Sequence, residues 1–215
     1  SVILRYFEEV GLAHLDDMVV THPDAEQCGG LKGVVFGVYG GQVWENGQTN
    51  DTQAWWDFSD AVDMRGVHRQ VVHRGDQQEI DGCSVEVLNA NQGWGDTNGN
   101  SIVLSVDCEG VTVLLTGDAH AGTQEYLVQE YGSELESDVL KVPHHGSADR
   151  FEEFPSFVQP WTAVCSVGAS NGYGHPDASV IAEWEATGTN FVRTDLVGTV
   201  TIHAQAGELV IETEY

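Results

Sequence analysis

Four short segments carry side chains that ligate metals, and each follows an apolar run. They are His22-Pro23-Asp24-Ala25-Glu26-Gln27 after DMVVT, Thr116-Gly117-Asp118-Ala119-His120 after VTVLL, Pro143-His144-His145-Gly146-Ser147 after DVLKV, and Tyr173-Gly174-His175-Pro176 after AVCSVG. Imidazole together with carboxylate suits Zn or Mn, and an Asp between two ions can bridge them. Taken singly the segments say little, because a Gly-Asp is commonly a turn, a His-Pro a bend and a lone His a surface residue. Adjacent histidines at a strand end are rarely needed for packing. Strands that end together deliver their loops to one sheet edge, so four such loops in one chain favour metal chemistry.

The remaining candidates read more plainly. His14, His68, His73 and His203 have no ligand-type neighbour and are taken as structural or solvated, and His120 as the start of a helix. Trp44, Trp55, Trp56, Trp161 and Trp184 are assigned to the core, leaving Trp94, in NQGWGDTNGN, as the aromatic that contacts substrate. Gly29-Gly30 and Gly40-Gly41 match neither GxGxxG nor a P-loop, so nucleotide cradling has no support.

The elements that must position these loops follow from periodicity. Val2, Ile3, Tyr6, Phe7 and Val10 recur at helical spacing ahead of Gly11, and DMVVT reads as a buried strand. Helices are predicted over 29–38, 51–64, 119–131, 150–158 and 181–187. Strands are predicted at VHRQVV, CSVEVLN, SIVLSVD, VTVLLT, 138–142, 162–167, FVRTD, GTVTIHA and GELVIETE. Helices and strands mix without strict alternation and no repeat is evident, which predicts one α+β domain over 1–215, layered αββα, not a doubly wound sheet. Cys83 and Cys108 fall on neighbouring predicted strands, where they either pair or stay reduced; no CxxC spacing supports a zinc knot.

VVTHPDAEQCGGL, NGNSIVL, LLTGDAH, LKVPHHGS and VGASNGYGHP occur in the order found in the metallo-β-lactamase superfamily. From Asp17 to Gly198 the chain resembles the nuclease-like domain of ComEC-type competence proteins and their free-standing relatives. The resemblance implies an αββα sandwich whose one- or two-ion centre, Mn or Zn, activates water to hydrolyse phosphodiesters of nucleic acid or another substrate. It implies His22 and Asp24 as ligands, Asp118 as a bridging carboxylate and His175 as a ligand of the second ion. His144 or His145 becomes a ligand or a phosphate-contacting acid, and Glu26 the base. Asn98, Asn100, Ser101 and Ser147 become substrate-orienting residues.

Two departures from the family pattern stand out. The first motif resembles HxDxDH, but Glu26 and Gln27 stand where Asp and His are expected. An amide oxygen is a poorer donor for Zn or Mn than imidazole, which weakens the second ion's position. The family also opens with a strand pair, whereas this chain starts at the first helix, implying a sheet edge left open or covered by a partner or further segment. A catalytically degenerate binding or assembly module is therefore the rival reading. Hydrolysis of a small thioester or lactam is a third.

Composition sets the surroundings. The 215 residues hold 34 acidic and 8 basic side chains, a formal charge of −26, with the acidic groups scattered and no basic stripe. Counterion release therefore cannot drive nucleic-acid binding, and a polyanionic substrate must be held by metal and a few local groups. No apolar stretch approaches the roughly 20 residues of a membrane span. Such self-repulsion is screened over about 3 Å in 1 M salt, which points to a high-salt habitat, with the compartment left open. The midpoint of thermal unfolding, followed by circular dichroism, should rise steadily as KCl increases from about 0.1 to 2 M. A flat response would detach the charge from salt adaptation.

Overall fold

The computed structural model describes residues 2–215, which divide into two compact units. The first unit runs to His73 and takes in Ala90–Ile102; the second comprises Arg74–Asn89 and Val103–Tyr215.

In the first unit, α1 (Val2–Val10) precedes β1 (Leu15–Val20), α2 (Ala25–Cys28), α3 (Leu31–Gly37), β2 (Tyr39–Glu45), α4 (Gln53–Arg65) and β3 (His68–Val71). The three strands lie in sequence order and pair in parallel, so each connection must cross over through helix. Helix α4 is capped at both ends. The Thr52 hydroxyl accepts from the Trp55 N–H, and Gly66 takes the left-handed conformation after the last turn. Its buried face, Trp55, Phe58, Ala61 and Val62, packs with Met18, Val20, Val34, Val35 and Val43. Burying Phe58, Met18 or any of the valines is worth about 1.5–3 kcal/mol each, and this cluster holds the end of β1 in place.

Strand β2 escapes the sequence pattern because YGGQVWE has glycine at its second and third positions. A Cβ on Gly41 would lie 1.6 Å from the Asp16 carbonyl oxygen, beside the register shift between Leu15 and Asp17. Only glycine lets the strands meet there. Asp17 then accepts from Gln42 Nε2 at 2.8 Å and Trp44 Nε1 at 3.0 Å across the pair.

The second unit contains β4 (Gln77–Ile80), β5 (Cys83–Asn89), β6 (Val103–Cys108), β7 (Val111–Leu115), α5 (Ala121–Tyr131), β8 (Val139–Lys141), α6 (Phe154–Val158), β9 (Thr162–Cys165), α7 (Ala178–Ala186), β10 (Asn190–Arg193), α8 (Thr194–Val197), β11 (Val200–Gln205) and β12 (Glu208–Thr213). Seven strands form one sheet in the order β10-β9-β8-β7-β6-β5-β4. From β4 to β7 the pairing is antiparallel; from β7 to β10 it is parallel, with helices in the connections. The polar edge strand β4 (QQEI) also carries no pattern that announces it. β11 and β12 form a separate hairpin. Leu114, Leu127, Leu140, Phe154, Val158, Ala163 and Trp184 fill the core, with Phe154 and Trp184 edge to face at 6.3 Å.

The helix expected over 150–158 is confined to Phe154–Val158, with proline in its first turn. Trp56 and Trp161, expected in the core, are 49% and 72% exposed; Trp56 lies next to Trp55 on α4, round the helix from the buried face, and donates to Asp51. Among the described residues no helix is long and apolar enough to cross a membrane.

Cys83 and Cys108 stand directly opposite each other on β5 and β6 and form a disulfide. Cys28 and Cys165 are free and buried, and burial pushes their thiols up to about 12 and about 11. The native protein should therefore resist a thiol reagent at pH 8, when both groups are protonated. The denatured chain should titrate two thiols before reduction and four after it.

Candidate metal centre

In the first unit the chain leaves β1 through Thr21 and places His22, fully buried, at the strand's end. The Thr21 carbonyl accepts from the Ile102 N–H at 2.9 Å, which fastens the 90–102 loop there. His22 Nδ1 lies 3.0 Å from the Thr21 hydroxyl and 3.2 Å from the Ser101 hydroxyl. With Nδ1 so engaged, Nε2 is the atom turned toward Asp24, 3.8 Å from its Oδ2. Asp24 is fixed by its other oxygen: Oδ1 accepts from Asn50 Nδ2 at 2.9 Å and from the Thr97 hydroxyl at 2.8 Å. Glu26, exposed in the first turn of α2, completes a group whose donor atoms all lie within 4.8 Å of one another. One imidazole and two carboxylates gathered this closely fit a divalent ion such as Zn or Mn.

The Asn100 amide works inside the loop. Its Oδ1 accepts from the Gly93 and Trp94 N–H groups, both at 3.1 Å, and its Nδ2 donates to the Trp94 and Asp96 carbonyls. Asn46 Nδ2 in turn donates to the Asn100 carbonyl at 2.8 Å. Asn100 and Ser101 are both completely buried, where they hold the loop and His22. Asn98 is half-buried and its carbonyl accepts from the Ser101 N–H; Trp94 is half-buried as well. Sequence reading missed Asn50 and Thr97. Asn50 follows β2, the strand the glycines concealed, so its loop drew no attention as a strand end.

In the second unit Asp118 follows β7 and is 2% exposed. His120 caps α5, its Nδ1 accepting from the Thr123 N–H at 3.1 Å. After β8, His144 and His145 take left-handed backbone conformations, φ 46° and 53°. Each such residue costs roughly 1–3 kcal/mol and persists only where neighbours over-determine it. Here the Gly117 carbonyl accepts from the His144 N–H at 3.3 Å, and the His144 carbonyl accepts from the Ser147 N–H at 2.9 Å. The Cys165 thiol donates to the His145 carbonyl at 3.2 Å. Gly146, φ 81°, is obligatory because a Cβ there would lie 2.5 Å from Pro176 Cβ. Ser147 is half-buried, and its hydroxyl accepts from the Asp149 N–H.

His145 Nδ1–H donates to the Ser166 carbonyl at 2.6 Å, which directs Nε2 at Asp118 Oδ2, 3.4 Å away. In the neutral imidazole that nitrogen is an acceptor, so the two atoms face each other with a shared demand for a proton or a metal ion. His175 lies edge-on to His144 at 5.9 Å, with Tyr173 stacked on it at 5.8 Å. Asn171 clasps its backbone, Oδ1 accepting from the His175 N–H and Nδ2 donating to its carbonyl. Burial, then His144 and His145, hold the His175 imidazole below its ordinary range, favouring the neutral form that ligates metals. Burial holds the Lys141 ammonium below its ordinary range, although Asp118 pulls the other way.

No family model matches the chain. It is 33% identical over 204 residues to competence protein ComA of Neisseria gonorrhoeae and 30% identical over 209 residues to ComE operon protein 3 of Bacillus subtilis. Those alignments take in 91% and 93% of this chain but 26% of each relative, so the chain spans about a quarter of their length. Among solved structures, the metallo-β-lactamase fold protein YhfI of Bacillus subtilis matches with a TM-score of 0.59 at 10% identity, covering 98% of this chain and 83% of that one. CmlA, a diiron β-hydroxylase from Streptomyces venezuelae, matches with a TM-score of 0.54 at 12% identity, over 84% of this chain and 44% of that one.

If Asn50 and Thr97 orient Asp24, Asn50→Ala and Thr97→Val should each weaken Mn or Zn binding about 10–100-fold, measured by calorimetry. Neither change should alter the far-ultraviolet spectrum. Unchanged affinity in both would mean that Asp24 does not ligate.

Proposed function

Starting from a chain that has the metallo-β-lactamase fold and is related in sequence to a segment of competence proteins, we propose that it is a metal-dependent hydrolase of phosphodiesters. The observation that carries this reading is the His22–Asp24–Glu26 donor group, two of whose members are held by hydrogen bonds on their far atoms. His22 and Asp24 are assigned as ligands in the first unit, and Asp118, His145 and His175 in the second. One or two ions of Mn or Zn would supply Lewis acidity for water and charge neutralisation for the phosphate. Glu26, exposed in the first turn of α2, is assigned as the base that takes a proton from water. His144 is assigned to the developing charge on the leaving oxygen, and Asn98 and Ser147 to substrate. With a formal charge of −26, the protein has little else to attract a polyanion than the cation it binds.

Gln27 favours a second reading. An amide where the family pattern has imidazole deprives one ion of its best donor, as expected of a module that has kept the fold and given up catalysis.

Metal content per chain, measured by elemental mass spectrometry after purification without chelator in about 2 M KCl, separates the two. The hydrolase should hold one or two equivalents of Mn or Zn and cleave bis(p-nitrophenyl) phosphate or a labelled oligonucleotide. Asp118→Asn should cut that rate by about 100-fold or more with the fold intact, and Gln27→His should raise it. No metal after reconstitution with excess Mn and Zn, and no cleavage, would establish the binding module.

A further inference from the structure

Lys141 ends β8, and its ammonium reaches three acceptors: the Gly117 carbonyl at 2.6 Å, the Val142 carbonyl at 3.3 Å and Asp118 Oδ1 at 3.4 Å. An ammonium has three N–H donors, so this head group is spent entirely inside the protein. Its strand is anchored to the same turn a second time, where the Thr116 hydroxyl donates to the Lys141 carbonyl at 2.7 Å. Asp118, at 2% exposure, has little water to stabilise its charge, and a buried carboxylate without a countercharge is strongly unfavourable. The carboxylate's two oxygens are thereby divided: Oδ1 faces Lys141 and Oδ2 faces His145 Nε2.

We propose that Lys141 is a positioning residue, a resident cation that neutralises Asp118 in the metal-free protein and fixes Oδ1, so that Oδ2 and His145 Nε2 are set for a divalent ion. The ligand turn is then assembled before any metal arrives. The pairing of Lys141 with Asp118 stands on the hydrogen bonds alone; its consequence for metal binding rests on the assignment of Asp118 as a ligand. The competing explanation is that Lys141 only pins the turn through the Gly117 carbonyl, a duty indifferent to the charge on residue 118.

A double-mutant cycle on the full chain, treated with chelator and followed by thermal unfolding, distinguishes them. Lys141→Met should lower the midpoint by about 5–10 °C beside Asp118 and by no more than about 2 °C in the Asp118→Asn background. Equal losses in both backgrounds overturn the proposal. Should Lys141→Met fail to fold alone, recovery of a folded double variant supports the pairing, and failure of both overturns it. Addition of Mn should then raise the midpoint of Lys141→Met less than that of the unmodified chain, because the ligand turn is no longer preset for the ion. An equal or larger rise overturns the metal-binding half. A chain that shows no rise at all overturns the hydrolase reading along with that half, and the cycle still decides the pairing.

Discussion

Imidazole lone pairs and carboxylate oxygens repel one another when gathered within a few ångströms, and folding must hold them together against that repulsion. This chain does so by fixing the far atom of each side chain. His22 is held through Nδ1, Asp24 through Oδ1, Asp118 through Oδ1 and His145 through Nδ1. The near atoms are left facing each other, at 3.8 Å for His22 and Asp24 and 3.4 Å for His145 and Asp118. Ser101 is completely buried, and Lys141 is tied to the backbone carbonyls of Gly117 and Val142. The apolar cores are what keep those anchors still.

The two units meet this constraint by different means. In the first, two of the holders, Thr97 and Ser101, come from a loop remote in sequence, and Asn100 ties that loop together by satisfying four of its backbone groups. In the second, the holders are the Lys141 ammonium, itself tied to the Gly117 carbonyl, and the Ser166 carbonyl, with the two left-handed histidines locked between neighbouring turns. Strain at His144 and His145 is tolerable because the surrounding hydrogen bonds and the close fit of Gly146 against Pro176 leave no relaxed alternative.

Most of the elements were legible from apolar periodicity, because helices such as α4 and strands such as β5–β7 bury one face against a core. What was hidden was hidden for stated reasons. Strand β2 has glycines at its second and third positions that serve a close backbone approach and give no apolar signal, and β4 is a polar edge strand. The ligand-type residues were legible because His22, Asp24, Asp118 and His145 are dear to bury and stand at strand ends. Their holders were not: Asn50, Thr97 and Lys141 are common surface residue types whose partners lie 26, 73 and 23 positions away. Asn100 and Ser101 were noticed for their loop, but their hydrogen bonds within it were not, since sequence does not say whether an amide faces out or in.

The first unit is discontinuous: the segment that supplies Thr97 and Ser101 lies between β5 and β6, strands of the other unit. A ribosome that has released residues up to His73 has made α1 to β3 in full, yet His22 and Asp24 still lack two of their hydrogen-bond partners. The first ligand group is therefore completed only after the chain has been extended through Ile102, which also closes the loop onto Thr21. A truncation product ending at His73 would contain the residues of all three strands of the first unit and lack the Thr97 and Ser101 partners of its donor group.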